Sequence, residues 1–227
     1  MQAGLMATVS LTRNCLKAVR WGLQKGGCIQ APPACPLFTS TPNSKSGLWI
    51  RLLGVINQVY PYRIKEVGPD RACAEWLVKN GGAVRWVGNP HQKETDFNSL
   101  SQDLTLKIEE IICDKAVVLP SGFGYLDGLK HVKKFTLHDC DYATDDMVSL
   151  LSLHLRDSLE HLQISSCSGI TQAGLHHIEQ LQKLRSLLLF DLKKIDDKTA
   201  SVNILRKKLP SACQIDFTDI PRAETSG

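Results

Sequence analysis

An internal repeat of apolar residues constrains this chain more than any other feature, because side chains that recur at a fixed period must stack on one another. One copy, over residues 159–175, reads L-x-x-L-x-I-x-x-C-x-x-I-T-x-x-G-L, and the copy before it, over residues 132–147, reads V-x-x-F-x-L-x-x-C-x-x-A-T-x-x-M. A third copy begins at Leu184, and degenerate copies begin at Ile108 and Leu209. The central strand positions are predicted at residues 113, 137, 164, 189 and 215, in steps of 24, 27, 25 and 26.

The spacing within each copy predicts a strand, a corner and a returning helix. The alternation of apolar and variable residues places two side chains on the inner face of a short strand. The cysteine or leucine three residues later turns inward at a corner, and a helix such as residues 171–181 then returns along the other side. A period of about 20–29 residues with this pattern is the leucine-rich-repeat formula. We therefore expect an α/β fold in which residues 106–219 form a short, curved leucine-rich-repeat solenoid with parallel strands.

The segment before the repeats carries helix signals rather than a period. Apolar residues over 49–59 suggest an amphipathic helix, whose apolar side either packs on the repeats or touches a membrane interface. A Gly-Pro-Asp start and an Asn-Gly-Gly stop delimit a second helix over 72–79, and a strand is predicted over 83–87. We therefore expect residues 47–105 to form a small N-terminal helical cap domain.

The first 65 residues carry the basic excess of the chain. They contain eight of its 27 Lys and Arg and none of its 23 Asp and Glu, so the remainder is mildly acidic, which disfavours a nucleic-acid partner. Arg13, Lys17 and Arg20 lie between apolar residues at helical spacing, as is typical of a mitochondrial transit peptide. We expect residues 1–46 to be such a peptide, removed on import; the alternative is a basic tail that stays attached. Residues 220–227 are expected to be a disordered tail.

No motif in the chain indicates catalysis, so we expect a protein that is not an enzyme. Nucleophile-elbow, phosphate-loop and zinc-protease signatures are absent from the sequence. The five cysteines after the leader are scattered without a C-x-x-C pair and are expected to be buried free thiols. A metal site in the run from His138 to Asp141 is disfavoured because Cys140 occupies the corner position of its repeat. The aspartates at 139, 141, 145 and 146 are interpreted as a solvated loop.

Several short blocks in this sequence resemble a known family. The blocks are Val67-Gly-Pro-Asp-Arg71, Glu75-Trp-Leu77, Gly122-Phe123, Gly128-Leu129 and Ile164-Ser-Ser-Cys-Ser-Gly-Ile-Thr171. They are similar to the mitochondrial coupling factor B family, whose members are also called ATP synthase subunit s or distal membrane-arm assembly component 2-like protein. The resemblance covers roughly residues 47–217.

The resemblance implies a non-catalytic protein that lies peripherally on the matrix side of the mitochondrial inner membrane. Its implied partners are membrane-sector subunits of ATP synthase, where it would support proton conduction and limit a proton leak. A sister branch implies the alternative of an assembly factor for the distal membrane arm of respiratory complex I, with assembly intermediates as partners. A ubiquitin-ligase substrate adaptor is less favoured, because residues 1–46 lack the apolar helices of a recruitment box. Self-association into a homo-oligomer stays open.

The resemblance also implies a magnesium site and one departure from the family. The family's magnesium ligands match Gly81, which would offer its backbone carbonyl, and Asp114, which stands where a threonine is expected. Two protein oxygens leave several water ligands, so the implied binding of Mg²⁺ is weak. The family has two cysteines in a C-x-C arrangement where this sequence has His138-Asp139-Cys140. A thiol-dependent activity that needs that pair is therefore in doubt for this chain.

Overall fold

The computed structural model describes residues 47–218. The transit peptide predicted over 1–46 and the tail predicted over 220–227 lie outside the described residues. The chain divides into two compact units between Ile56 and Asn57. The described part of the first unit is one helix, α1 (Gly47–Ile56), which overlaps the amphipathic helix predicted over 49–59 but starts two residues earlier and ends three residues earlier.

The second unit alternates helices and strands. It begins with helices α2 (Pro61–Val67) and α3 (Pro69–Lys79), followed by strands β1 (Ala83–Trp86) and β2 (Ile108–Asp114) and a 3₁₀ helix (Pro120–Leu126). The remaining elements are β3 (Lys134–His138), α4 (Asp145–Leu155), β4 (His161–Ser165), α5 (Gln172–Ile178), β5 (Ser186–Phe190), α6 (Lys198–Lys208) and β6 (Gln214–Thr218). The fold class is therefore α/β.

All six strands form one open sheet in chain order, from β1 to β6. Strand β1 is antiparallel to β2, and the five strands from β2 to β6 are parallel. Because parallel neighbours need a crossover connection, each step from β3 to β6 carries a helix between its strands. The segment predicted as a helical cap thus also supplies β1, an edge strand of the sheet.

The apolar positions of the three central repeats fill the interior of the second unit. In the copy that contains β3, the side chains of Val132, Phe135, Leu137 and Cys140 are each at most 1% exposed. The equivalent residues around β4 and β5 are buried as well. The register pairs Leu137 with Ile164 and Ile164 with Leu189, which confirms these predicted strand positions.

The prediction for the last strand was wrong by two residues. Leu189 pairs with Phe217, whereas Ile215 pairs with Leu187. Helix α6 has 11 residues against 7 in α5, and the turn after it contains Pro210, which delays the start of β6. Each strand has two inward positions, and an apolar residue such as Ile215 fits either of them. The repeat period alone therefore did not reveal the two-residue shift of β6.

Each of the four central corners uses one residue in left-handed backbone geometry. The φ angles are 53° at Lys115, 48° at Asp139, 52° at Ser166 and 48° at Asp191, directly after β2, β3, β4 and β5. The backbone N–H of each residue donates to the carbonyl of the last residue of the next strand, at 2.9–3.2 Å. These hydrogen bonds continue the ladder of the sheet around the corner and offset the cost of the left-handed conformation.

Candidate functional site

One face of the parallel sheet is open in the described unit, and it is the broadest candidate for a binding site. Inward-facing strand residues are buried, whereas their neighbours on the other face are mostly half-buried or exposed. Parallel pairing aligns these outward residues in rows across the strands. We define the open sheet face by residues from two of its three rows: Ile112, Thr136, Gln163 and Leu188 in one row, and His138 and Phe190 in the next.

The open sheet face combines apolar and polar side chains. Ile112 lies on β2, and Leu188 and Phe190 lie on β5, each half-buried. Between them, Thr136 and Gln163 form a polar strip on β3 and β4. Such a mixture suits a protein partner, because interface cores are apolar and aromatic with hydrogen-bonding groups among them. In the sequence, these residues are marked only by their place as the variable residues between the apolar ones.

A polar cluster occupies the open sheet face at His138. The Nδ1 atom of His138 lies 2.9 Å from Oγ of Ser165, and Nε2 of Gln163 donates to the same hydroxyl at 3.2 Å. Ser165 is only 1% exposed, so these contacts satisfy its buried hydroxyl and hold the histidine ring in place. The Ser165 hydroxyl is therefore not accessible as a nucleophile, and the fixed ring of His138 forms part of the surface.

The left-handed turn at Asp139 separates His138 from Cys140. His138 faces the open side, whereas Cys140 turns inward and donates a hydrogen bond to the carbonyl of Cys113 at 3.3 Å. The two side chains therefore do not converge on one ligand. This geometry agrees with the prediction that Cys140 occupies the corner of its repeat.

The cysteines of the described residues are free thiols, and four of the five are buried. Burial raises the pKa of the Cys73 thiol, and burial raises the pKa of Cys113 to about 12. The neighbouring Cys167 and burial both raise the pKa of Cys140. Because the thiolate is the reactive form, these three side chains are held in their unreactive form at neutral pH.

Gly81 and Asp114 are brought to the same end of the first strand pair. Gly81 lies in the turn two residues before Ala83, which pairs with Ile112, and Asp114 lies two residues after Ile112, at the end of β2. Both residues are exposed. Within residues 47–218, however, no group of three His, Cys, Asp or Glu side chains is arranged to hold a metal ion. The residues present thus offer two oxygen ligands on an open surface, which fits only an ion that keeps most of its waters.

Asp145 has a structural role and is the first residue of α4, whereas the sequence predicted that it lies in a solvated loop. Both carboxylate oxygens of Asp145 accept hydrogen bonds from Thr171, one from the backbone N–H at 2.8 Å and one from the hydroxyl at 2.7 Å. Thr171 in turn caps α5 by accepting from the N–H of Ala173. Asp145 therefore joins one repeat to the next and is not a free cation ligand.

Helix α3 carries a buried ion-pair network formed by part of the block that resembles the known family. Arg63 donates to both carboxylate oxygens of Glu75 at 2.9 and 2.7 Å, and Nε of Arg71 donates to Oε1 at 2.9 Å. The Glu75 side chain is only 4% exposed. Burial alone would raise the pKa of Glu75, but the hydrogen bonds from the two arginines outweigh it and lower the pKa.

Asp70 in the same block ties α3 to the sheet. It accepts from the backbone N–H of Ile108 at 3.0 Å and from Nζ of Lys107 at 3.0 Å. Ile108 is the first residue of β2, so this contact fixes where the parallel strands begin. A negative charge in the first turn of α3 is also favourable near the positive end of the helix dipole.

Trp76 completes this arrangement by packing between α3 and the 3₁₀ helix. Its Nε1 donates to Oδ1 of Asn57 at 3.2 Å, and its ring stacks on Tyr125 at a centroid distance of 5.6 Å. A side chain at Gly122 would approach the indole ring to 2.5 Å, so this glycine is required by close contact. The block from Asp70 to Trp76 therefore builds the fold and is not itself an exposed site.

The fold and the open sheet face define an α/β protein that offers a broad surface for a macromolecular partner. No protein-family model matches the chain. It is 39% identical to ATP synthase subunit s, mitochondrial, of Rattus norvegicus over 72% of this chain and 83% of that protein, and 35% identical to the Homo sapiens protein of the same name with the same coverage. The chain belongs to the ATP synthase subunit s family. It is also 27% identical to distal membrane arm assembly component 2 of Drosophila melanogaster, over 69% of this chain and 56% of that protein.

Proposed function

We propose that this chain is a non-catalytic subunit of leucine-rich-repeat type that binds the membrane sector of mitochondrial ATP synthase, supports proton conduction and limits a proton leak. The observation that carries the proposal is the identity of 33–39% to proteins named ATP synthase subunit s, mitochondrial. The repeated strand, corner and helix between β2 and β6, with its four equivalent left-handed corners, supports the leucine-rich-repeat assignment.

The proposed location is the matrix side of the inner membrane, as a peripheral protein imported by residues 1–46. Among residues 47–218, no helix combines the length and the hydropathy needed to cross a bilayer. The open sheet face is the proposed binding site for ATP synthase, because it is broad and unoccupied by helices of the described unit. Affinity for a large complex then depends on a few anchors, such as Leu188 and Phe190.

Purification of the tagged chain from gently solubilised mitochondria tests this proposal. We expect membrane-sector subunits of ATP synthase to copurify with the native chain and to be lost with Leu188→Glu, which places a charge on the open sheet face. Ile204→Glu, on an exposed part of α6, serves as the matched control and retains the partner. A chain that stays outside mitochondria, or that recovers no ATP synthase, contradicts the proposal.

An assembly role for the distal membrane arm of complex I is the second candidate. It is supported by the similarity to distal membrane arm assembly component 2. Both candidates use the same fold and compartment, so the copurified subunits discriminate them. Recovery of complex I assembly intermediates in place of ATP synthase would assign the chain to this second role.

Gly81 and Asp114 are proposed as weak Mg²⁺ ligands. Their support is the shared position at the end of the β1–β2 pair and the hard oxygen chemistry that magnesium prefers. Magnesium at about ten times its dissociation constant would stabilise the fold by about 1.4 kcal/mol. We expect Mg²⁺ to raise the melting temperature of the native chain but not of Asp114→Ala. An equal response of both chains, or none, would exclude this site.

A further inference from the structure

The two ends of the parallel sheet carry opposite charge. The loops that lead into β3, β4, β5 and β6 (residues 127–133, 156–160, 179–185 and 206–213) contain eight Lys and Arg against four Asp and Glu. The segments at the other end (residues 114–119, 138–146, 165–172 and 190–198) contain eight Asp and Glu against four Lys and Arg. We call the first set the basic end and the second the acidic end. The net charge of the chain conceals this separation.

Helix capping explains the acidic end better than the basic one. Asp145 and Asp197 accept hydrogen bonds at helix N-termini, and Asp139 and Asp191 occupy left-handed corners that favour aspartate. At the basic end, the last turn of α6 contains three cations that favour a helix C-terminus. Lys130, Lys133, Lys183 and Arg185 have no such role, because they lie in loops before strands. Lys133 pairs with Glu109 at 3.1 Å and Arg185 with Glu160 at 3.2 Å, so Lys130 and Lys183 are the two cations left to bind a partner.

A shallow cavity lies within the basic end. Its volume is about 170 Å³, and it is lined by Lys130, His131, Lys133, Lys183, Asp157, Ser158 and Glu160. Glu160 pairs with Arg185 at 3.2 Å, and Asp157 lies 3.5 Å from Arg156. Among the described residues, no ion pair engages Lys130 or Lys183, and both side chains are exposed. The cavity thus presents ammonium groups that are free to bind an anion.

Exposed apolar side chains surround the same end of the sheet. Val87, 44% exposed, donates its backbone N–H to the carbonyl of Lys107 immediately before β2. Leu104, 50% exposed, lies in the loop that leads to β2, and Leu153, 55% exposed, lies in the last turn of α4. Apolar side chains beside cations fit a lipid interface, where the apolar groups enter the headgroup region and the cations contact phosphates.

We propose that the basic end is a docking surface for an anionic phospholipid membrane, with Lys130 and Lys183 contacting headgroup phosphates while Val87, Leu104 and Leu153 enter the interface. This inference rests on the peripheral membrane location proposed above and assigns the face that meets the membrane. The sheet would then stand with its strand starts toward the lipid and its acidic end away from it. Repulsion between the acidic end and an anionic surface would fix the same orientation.

Lysine footprinting of the purified full chain tests the docking surface without any ATP synthase present. The probe is a vesicle of phosphatidylcholine with or without phosphatidylglycerol, and the readout is the acetylation rate of each lysine by mass spectrometry. We expect vesicles with phosphatidylglycerol to slow acetylation of Lys130 and Lys183 but not of Lys193 and Lys194, which lie at the acidic end. Because the rate is read at each lysine, the basic residues 1–46 do not obscure the result.

A pair of matched variants measures the contribution to binding. Lys130→Glu with Lys183→Glu should weaken binding to phosphatidylglycerol vesicles by at least ~10-fold. Lys193→Glu with Lys194→Glu changes the charge by the same amount and should leave binding nearly unchanged. Equal loss in both pairs, or protection confined to residues 1–46 or the acidic end, overturns the proposal. Binding to a soluble acidic polypeptide without protection by vesicles would overturn it in favour of a protein partner. Failure of ATP synthase to copurify would leave these vesicle results intact and refute only the proposed function.

Discussion

The interior of the repeats and the network around α3 hold the molecule together by different means. Around β3, β4 and β5, buried side chains are almost all apolar, and each has an equivalent one strand away. Around α3, five charged or amide side chains are buried (Asn57, Asp70, Arg71, Glu75 and Asn80), and each has its own partner. Apolar packing tolerates substitutions of similar volume, whereas a buried charge tolerates no loss of its partner. The start of the sheet is therefore specified by polar contacts and its continuation by apolar ones.

The largest effect is expected at Glu75. Glu75→Gln removes the charge that compensates two arginines, one of them buried, and should destabilise the fold by about 3 kcal/mol. Glu66 pairs with the same Arg63 at 2.8 Å but is 47% exposed, so Glu66→Gln should cost less than about 1 kcal/mol. Denaturant unfolding of both variants measures the difference. Equal destabilisation by Glu75→Gln and Glu66→Gln would show that burial does not strengthen the ion pairs of Glu75.

Lowering the pH should reduce the stabilisation that Glu75 provides to the network around α3. The folded-state pKa of Glu75 is lowered, so its contribution is fully present above the ordinary value of 4.5 and is lost as pH falls through the folded value. The difference in unfolding free energy between the native chain and Glu75→Gln should stay constant from neutral pH to about pH 5 and shrink below it. Unfolding titrations at several pH values measure this difference. If the difference in unfolding free energy stayed the same in stronger acid, Glu75 would not be an ionised partner of the two arginines.

A conservative change inside the repeats should cost less than the conservative change at Glu75. Ile164 is fully buried at the central position of β4, and Ile164→Val removes one methylene for about 1 kcal/mol. Leu188→Val on the open sheet face provides the reference and should cost less, because Leu188 is only half-buried. A loss at Ile164 as large as that at Glu75 would remove the distinction between the two regions.

The smallest effect is expected at a corner and has the opposite sign. Lys115 has φ of 53°, which costs a residue with a Cβ about 1–2 kcal/mol. Glycine avoids this cost but loses about 0.5–1 kcal/mol in chain entropy, so Lys115→Gly should stabilise the fold by about 0.5 kcal/mol. Lys134→Gly, in the extended backbone of β3, should destabilise it. Melting temperatures that fall in both variants would show that the corner carries no strain.

The apolar period made the central repeats predictable, because it fixes which side chains face inward and hence the register. The corner cysteines, the buried thiols and the helix of α3 followed from the same local signals. The contact of Arg63 with Glu75 was not predictable, since it joins two helices across 12 positions, whereas Arg71 and Glu75 form an i, i+4 pair within α3. The short helix α2 was missed because it has only seven residues and begins at Pro61, a residue that also commonly follows a helix end. The open sheet face was missed because variable residues between apolar ones leave no pattern of their own.

A photo-cross-linking amino acid at position 188 tests the central claim most directly, because it reports what touches the open sheet face inside mitochondria. The account predicts adducts between position 188 and a membrane-sector subunit of ATP synthase, and no such adduct from position 204 on α6. Adducts with complex I assembly intermediates, or ATP synthase adducts from position 204 alone, would contradict it.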